Sequence, residues 1–309
     1  MRKPLMLVVA LLLFSVVSGC ARFAEMLPDI GWPEADIIIG SPSTRGNNER
    51  PIEQEIPPVI NDVIVSFIDV GQGDAALIQT HNMVMLIDGG PTDAGACVVR
   101  YIDSHGIFVI DYIVASHPHA DHIGGLLTVM DSFEIGTVVM PDVTHTTRTF
   151  ERFIDAIEAS EATVIFAEAG TIINMDDVVF TVVSPNSSGY DNLNDYSLIM
   201  RMVHGENSFL FTGDAEAISE AEVLYYGWNI SADVLAVGHH GSRTSTTQDF
   251  LAAVNPRYAV IQLEADNPYG HPHDVVMRRL EGFNVLRNDM HGNIRIVSDG
   301  AGLSVYTER

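Results

Sequence analysis

The feature that most constrains how this sequence can fold is a cluster of metal-binding side chains at residues 117–122, HPHADH. The cluster follows a short apolar stretch at residues 112–115, which predicts a buried strand. On a loop of this spacing, His117 and His119 turn to one side and can reach one metal ion, while the last two residues of the cluster can reach a second. Histidine and carboxylate ligands suit zinc, manganese or iron. The fold must therefore hold this loop at the end of a strand.

A regular alternation of strand and helix patterns runs from residue 62 to the end of the sequence. Strand patterns at residues 63–70 and 75–80 come first, and helix patterns such as 92–104 and 148–159 then alternate with further strands. The final residues have the pattern of a hairpin. Early hairpins followed by alternating strands and helices predict sheets layered with helices in one domain, residues 62–309.

The first 20 residues have the pattern of a secretory signal, with two basic residues, an apolar run and then small residues before Cys20. The final four residues, VSGC, resemble a bacterial lipobox, in which the cysteine becomes the lipidated first residue. An ordinary cleaved signal is the alternative. Residues 21–61 are rich in proline and polar residues and predict a tether. We therefore expect an exported protein that is held at the membrane of the cell envelope through a lipid on Cys20.

The charge of the sequence excludes some kinds of chemistry and disfavours others. The formal net charge is −25, and Lys3 is the only lysine, which excludes Schiff-base catalysis by a lysine of the folded domain. A strongly acidic surface repels phosphate backbones and argues against tight passive binding of nucleic acid. It does not exclude hydrolysis of phosphodiesters at a metal centre, because the metal supplies its own positive charge.

Six further motifs accompany the histidine cluster along the chain. They are residues 69–74 (DVGQGD), 86–90 (LIDGG), 194–198 (NDYSL), 211–214 (FTGD), 238–242 (GHHGS) and 269–273 (YGHPH). Through these motifs the sequence from about residue 62 onward resembles the metallo-β-lactamase superfamily, and more closely the hydrolase domain of the ComEC-type competence proteins. The resemblance implies an α+β fold, a four-layer αββα sandwich with the metal site at one edge of its two sheets.

The resemblance also implies a site for two divalent metal ions, Zn or Mn. The implied ligands are His117, His119 and Asp214 for the first ion, and Asp121, His122, Asp214 and His240 for the second. His240 is preferred over His239, although the GHHG pattern leaves that choice open by one residue. Asp88 would accept a hydrogen bond from a ligand imidazole and fix its orientation. Three other residues are assigned to the surroundings of the ligands, namely Asp69, Asn194 and Ser242.

One departure from the lactamases concerns the first ion. Lactamases and glyoxalases carry a third histidine for this ion between the cluster and the bridging aspartate, where this sequence has residues 194–197, NDYS. His145 and His204 lie in this interval, but a threonine-rich loop and a hairpin tip predict that both are surface residues. We therefore expect solvent or substrate oxygens to complete the first ion's coordination, which favours manganese and weakens the case for a lactamase.

The resemblance implies metal-assisted hydrolysis, and a phosphodiesterase or nuclease is the leading hypothesis. Asp121 is expected to have a proton role, and His271 or His273 to bind phosphate or assist the leaving group. Arg243 fits a clamp on a phosphate oxygen and equally an ordinary surface cation. The expected partners are a small phosphodiester, including phosphorylcholine-type esters, or a nucleic acid, with no obligate protein partner. The alternatives are hydrolysis of a lactam, lactone or thioester, and a metal-bearing binding protein without turnover.

Overall fold

Two β-sheets form the centre of this structure, a computed structural model that describes residues 62–309. The predicted signal segment, Cys20 and the tether at residues 21–61 lie outside the described residues. In chain order the strands are β1 (Val63–Phe67), β2 (Ala76–Gln79), β3 (Val84–Ile87), β4 (Val109–Val114), β5 (Glu134–Met140), β6 (Thr163–Phe166), β7 (Ile172–Met175), β8 (Val178–Ser184), β9 (Ile199–His204), β10 (Asn207–Phe211), β11 (Val234–Ala236), β12 (Tyr258–Ile261), β13 (Asn284–Arg287), β14 (Ile294–Ser298) and β15 (Leu303–Thr307).

Helices connect these strands and cover the outer faces of the sheets. The α-helices are α1 (Gly95–Ser104), α2 (Ala120–Ile123), α3 (Leu126–Ser132), α4 (Arg148–Ser160), α5 (Ala217–Tyr225), α6 (Gln248–Val254), α7 (Asp274–Arg279) and α8 (Asn288–His291). Short 3-10 segments occur at Thr92–Ala94, Leu193–Tyr196 and Gly238–Gly241.

The order of the strands explains where a site can form. The first sheet has the order β15-β14-β1-β2-β3-β4-β5-β6, and the second has the order β13-β12-β11-β10-β9-β8-β7. Strands β3 to β6 are parallel in the first sheet, and β10 to β13 are parallel in the second. Because parallel strands end at the same edge of a sheet, the loops that follow them gather there.

The alternation of side chains along the central strands produces four layers. In β3, Met85 and Ile87 point into the core between the sheets, whereas Leu86 packs under the helices of the first sheet. In β10, Phe209 and Phe211 enter the core between the sheets, and Leu210 packs under the helices of the second. Both sheets are thus apolar on both faces, with helices outside and the main core between them. The predicted αββα sandwich is confirmed.

Several local predictions need correction. The predicted helix at residues 92–104 begins with a 3-10 turn, and α1 starts only at Gly95. The prediction that His204 is a surface residue is wrong, because this residue ends β9 and is fully buried. The turn of the β14–β15 hairpin covers it, and the His204 Nδ1 atom lies 2.7 Å from the Ser298 hydroxyl. Among the described residues, no helix is long and apolar enough to cross a membrane.

Candidate metal centre

The candidate site lies at the edge where parallel strands of both sheets end. In the first sheet, β3 leads into Asp88 and β4 leads into the histidine cluster at residues 117–122. In the second sheet, β10 leads into Asp214 and β11 leads into the pair His239 and His240. Two sheets therefore contribute facing loops to one site, which none of these loops forms by itself.

Glycines allow two of these loops to approach each other closely. The Gly125 amide donates to the Gly90 carbonyl at 2.9 Å, next to the histidine cluster. A Cβ atom at Gly125 would lie 1.9 Å from the Gly89 carbonyl oxygen, so no larger residue fits without moving the backbone. A Cβ atom at Gly89 would likewise lie 2.8 Å from the Leu126 amide nitrogen, so Gly89 and Gly125 have a common physical reason, which is backbone contact between the two loops.

The first group of candidate ligands consists of His117, His119 and Asp214, whose ligand atoms lie within 4.8 Å of one another. The Nε2 atom of His117 lies 3.0 Å from Nδ1 of His119. The same Nε2 atom lies 3.7 Å from Oδ2 of Asp214. This group contains the predicted ligands of the first ion.

The second group consists of Asp121, His122, Asp214 and His240, again within 4.8 Å of one another. The Oδ1 atom of Asp214 lies 3.2 Å from Nε2 of His122 and 3.5 Å from Nε2 of His240. The Nε2 atom of His240 also lies 3.5 Å from Oδ2 of Asp121. Asp214 thus stands between the groups, with Oδ2 toward the first and Oδ1 toward the second.

The buried atoms of the second group lack ordinary hydrogen-bond partners, which is the strongest sign that a metal ion fits here. Nε2 of His122, Nε2 of His240 and Oδ1 of Asp214 are all buried and form no hydrogen bond. Leaving three such atoms unsatisfied would be costly in a folded protein. A divalent ion would satisfy all three at once, and the nitrogen and oxygen donors suit zinc, manganese or iron.

Carboxylates behind two of the histidines fix their orientation. Asp88 accepts hydrogen bonds from the Ser116 amide at 2.8 Å and the Ser116 hydroxyl at 2.7 Å, and it lies 2.9 Å from Nδ1 of His122. The Nδ1 atom of His240 lies 3.2 Å from Asp74 and 3.0 Å from the Gln262 carbonyl. Such partners commonly orient metal-binding imidazoles. The contact of Asp88 with a ligand imidazole is the one predicted from the sequence, whereas no such role was predicted for Asp74.

The electrostatics of the group follow from burial and these charge pairs. Burial opposes the charged form of His122, but the carboxylates of Asp214 and Asp88 outweigh it and raise its pKa well above the ordinary value. The pKa of His240 is raised well above its ordinary value in the same way, against burial, by Asp214 and Asp74. Burial lowers the pKa of His117 well below its ordinary value. The buried carboxylates thus favour positive charge at these two histidines, whether a proton or a metal ion supplies it.

The remaining predicted residues divide between the centre and its margin. His271 lies in the small cavity at the centre, and burial together with the neighbouring histidines lowers its pKa to about 4. His273 lies farther out and accepts a hydrogen bond from the Arg243 amide at 3.1 Å, while the Arg243 side chain is exposed. The hydroxyl of Ser242 is 2.9 Å from that of Thr244, in the turn after the histidine pair.

Asp69 is not brought to the ligands. Its Oδ2 atom accepts a hydrogen bond from Arg309 at 3.0 Å, and it belongs to neither group of ligands. Asn194 does reach the small cavity, and its amide nitrogen donates to Glu216 at 3.0 Å. Glu216 in turn lies 3.2 Å from Nδ1 of His239, a contact for which the sequence carried no signal beyond a single acidic residue.

A wider cleft of about 650 Å³ adjoins the centre and shares Asp121 with it. Its lining includes the carboxylates of Asp69, Asp93, Asp121 and Glu264, together with the ring of Tyr269, and it contains no basic side chain. A ligand held at the centre would therefore extend into a negatively charged channel.

Comparisons with known proteins show which family and which structures the chain is similar to. The family profile described as "Metallo-beta-lactamase superfamily" matches residues 68–264. ComE operon protein 3 of Bacillus subtilis is 30% identical over 251 residues, which are 75% of this chain and 32% of that protein. Recombination protein 2 of Haemophilus influenzae is 31% identical over 239 residues, which are 75% of this chain and 28% of that protein. The chain thus spans about a third of the length of these curated relatives.

Solved structures show the same fold at low sequence identity. The metallo-β-lactamase fold protein YhfI from Bacillus subtilis aligns with a TM-score of 0.51 at 14% identity, covering 74% of this chain and 96% of that one. CmlA, a diiron β-hydroxylase from Streptomyces venezuelae, aligns with a TM-score of 0.50 at 15% identity, covering 78% of this chain and 55% of that one. At these identities the likeness concerns the fold alone.

Proposed function

Because the chain belongs to the metallo-β-lactamase superfamily, we propose that it is a metal-dependent phosphodiesterase whose active site is the centre around Asp214. The observation that supports this most directly is the division of Asp214 between two groups of ligands, with one carboxylate oxygen toward each. Each of the two groups would hold one divalent ion. Two divalent ions, when bound, lower the pKa of water and neutralise charge on the oxygens of a phosphoryl group.

Two observations favour a phosphodiester over a lactam. The region between the cluster and Asp214 has Asn194 and Asp195 where lactamases have a histidine. Two relatives are named Recombination protein 2 and Competence protein ComA, which connects this domain to nucleic acid more than to antibiotics. Hydrolysis of a lactam, lactone or thioester is the alternative that the experiment must separate.

The protein's own residues have distinct tasks in this proposal. Asp88 and Asp74 hold the imidazoles of His122 and His240 in position. His271, with a pKa of about 4, is neutral at pH 7, and its buried Nδ1 atom has no hydrogen-bond partner. A neutral imidazole has one accepting and one donating nitrogen, so the ring is able to accept a proton or a hydrogen bond from a substrate in the cavity. Because His271 is neutral, it is suited to accept a proton or a hydrogen bond and not to protonate the leaving group.

The acidic cleft bears on the size of the substrate. A long nucleic acid would carry further phosphates past Asp93 and Glu264, where like charges repel. A short phosphodiester, or an ester with a positively charged group such as phosphorylcholine, would avoid that repulsion. We therefore place small phosphodiesters ahead of long DNA as substrates.

We also propose that the protein is exported and held at the membrane by a lipid on Cys20. The pattern of residues 1–20 supports this, since the apolar run is followed by two small residues and then the cysteine. Expression of the full chain, followed by membrane fractionation of wild type and Cys20→Ala, tests it. Wild type is expected with the membranes and the variant in the soluble fraction; equal distribution would contradict the lipid anchor.

A substrate panel tests the proposed activity. The purified protein is loaded with Zn²⁺ or Mn²⁺ and assayed on bis-p-nitrophenyl phosphate, p-nitrophenyl phosphorylcholine, single-stranded DNA, nitrocefin and an acyl-homoserine lactone. We expect metal-dependent hydrolysis of at least one phosphodiester, lost in Asp214→Ala and retained in Asp155→Ala on the exposed face of α4. Turnover of nitrocefin or the lactone with no phosphodiester cleaved would replace the proposal with its alternative, and a fully metal-loaded protein without any turnover would refute it.

A further inference from the structure

His239 and His240 share an unusual backbone conformation. Both residues have positive φ angles, 50° for His239 and 54° for His240, in the left-handed region that side chains with a Cβ rarely adopt. Two such residues in succession require a local reason. In this loop the conformation turns both imidazoles toward Asp214, where a regular strand would have sent them to opposite sides.

The two imidazoles face different oxygens of that carboxylate. Nε2 of His240 lies 3.5 Å from Oδ1, the oxygen of the second group. Nε2 of His239 lies 3.5 Å from Oδ2, the oxygen that also faces Nε2 of His117. The histidine pair is therefore divided between the two groups in the same way as Asp214 itself.

The far side of the His239 ring has the support that metal-binding histidines require. Its Nδ1 atom lies 3.2 Å from Oε1 of Glu216, and the Asn194 amide donates to the same oxygen at 3.0 Å. The Thr244 hydroxyl lies 3.3 Å from this Nδ1. A carboxylate behind Nδ1 leaves Nε2 directed at the centre, which is the relation of Asp88 to His122 and of Asp74 to His240.

We infer that His239 is a ligand of the first ion and stands in for the histidine that lactamases carry between the cluster and the bridging aspartate. The ligand atoms are Nε2 of His117, Nδ1 of His119, Nε2 of His239 and Oδ2 of Asp214. His239 contacts Asp214 but is not among the ligand atoms of the first group that lie within 4.8 Å of one another, so on metal binding its ring must move closer to the two cluster histidines. Three imidazoles and one carboxylate would then make the four-ligand set that zinc prefers. This replaces the expectation from the sequence that the first ion is only partly held by protein, and it removes the reason to favour manganese. Both histidines of the GHHG motif then bind metal, one for each ion.

His145 is the other histidine able to complete the first group. Its ring centroid lies 5.8 Å from that of His119, on a half-buried loop residue. Unlike His239, it forms no ion pair with Asp214, and no carboxylate is positioned behind it among the described residues. The comparison of His239 with His145 therefore gives a matched pair of variants.

The test measures metal content, independently of turnover. We equilibrate four proteins with buffered Zn²⁺, namely wild type, His239→Ala, His145→Ala and the exposed-site control His81→Ala. The bound metal is then quantified by inductively coupled plasma mass spectrometry. Dissociation constants come from competition with a chromophoric chelator. Circular dichroism and thermal melting confirm folding, and Glu216→Gln serves as a milder second variant. Co²⁺-substituted protein provides an independent signal, since visible absorption reports four-coordinate sites.

We expect two ions per chain in wild type, His145→Ala and His81→Ala, and one tightly bound ion in His239→Ala. The affinity for the first ion should fall at least about 100-fold in His239→Ala and about 10–100-fold in Glu216→Gln. The Co²⁺ absorption of one site should be lost in His239→Ala. Unchanged metal content and spectrum in His239→Ala, or loss of the ion in His145→Ala instead, would overturn the inference.

The inference rests on the proposed function only in requiring that the centre binds metal. If wild type holds two ions and hydrolyses no phosphodiester, the proposed function fails while the assignment of His239 stands. If His239→Ala keeps both ions, the assignment fails while the proposed function stands. A wild-type protein that holds a single ion, unaffected by His239→Ala, also overturns the assignment.

Discussion

Replacing Asp88 with asparagine should weaken one of the two proposed metal sites and leave the other nearly unchanged. The Asp88 side chain is fully buried and makes three contacts, with the Ser116 amide, the Ser116 hydroxyl and Nδ1 of His122. Asparagine has nearly the same shape but offers one acceptor oxygen in place of two. The Nδ1–H of His122 then either loses its acceptor or shifts its proton to Nε2, the atom that faces Asp214 at 3.2 Å.

The size of the effect follows from what the carboxylate does. Loss of a residue that orients a metal-binding histidine weakens metal affinity by about 10–100-fold. That range corresponds to about 1.4–2.8 kcal/mol of binding free energy for the ion held by His122. The first group should change less, because Asp88 reaches its histidine His117 only through the Ser116 hydroxyl, which lies 3.1 Å from His117 Nδ1.

The assay is a stepwise Zn²⁺ titration of the metal-free protein in competition with a chromophoric chelator, which yields two dissociation constants. Asp111→Asn is the matched control. This carboxylate accepts a hydrogen bond from the Val84 amide at 2.8 Å near the opposite end of β4, away from the centre. Equal constants in wild type and Asp88→Asn would refute the argument, and so would an equal loss in both variants.

Three further predictions concern protons, catalysis and packing. Nearby carboxylates raise the pKa values of His122 and His240, so zinc must displace protons from these residues when it binds. The apparent affinity for zinc should therefore fall by up to about tenfold per displaced proton for each unit by which the pH is lowered. Titrations at pH 6, 7 and 8 that gave the same dissociation constant would contradict this. His271→Ala should lower kcat on bis-p-nitrophenyl phosphate by about 10²–10⁴-fold and leave the metal content unchanged. Steady-state kinetics and metal analysis measure the two quantities, and an unaltered kcat would show that His271 has no role in the mechanism. Ser298→Ala removes a buried hydroxyl that contacts Nδ1 of His204 and accepts hydrogen bonds from the Asn207 side-chain amide and the Gly300 backbone amide, and it should cost about 1–3 kcal/mol in urea unfolding. An unchanged midpoint would contradict the structural role given to that hydroxyl.

The parts of the site that could be predicted from sequence are those encoded within a few residues. The spacing of His117 and His119 requires only a strand followed by a loop, and the strand patterns around it were clear enough to predict layered sheets. Asp214 and His240 are separated from that cluster by many residues, so their assignment needed the resemblance to a family. The structure then places both within reach of the cluster.

The parts that could not be predicted depend on contacts between distant loops. Asp74 and Glu216 are single acidic residues whose partners, His240 and His239, are known only once the second sheet is in place. Periodicity contains no information on such pairings. His204 was misplaced for the same reason, because its burial comes from the β14–β15 turn, far away in sequence.

The central claim is that Asp214 joins two metal ions in a centre that hydrolyses phosphodiesters. The most direct measurement is a titration of the metal-free protein with Zn²⁺ while the hydrolysis of bis-p-nitrophenyl phosphate is recorded. We predict little activity with one equivalent of Zn²⁺ and a plateau of activity at two equivalents per chain. Asp214→Ala should be inactive at both. Full activity at one equivalent, or activity that survives removal of all metal, would contradict it.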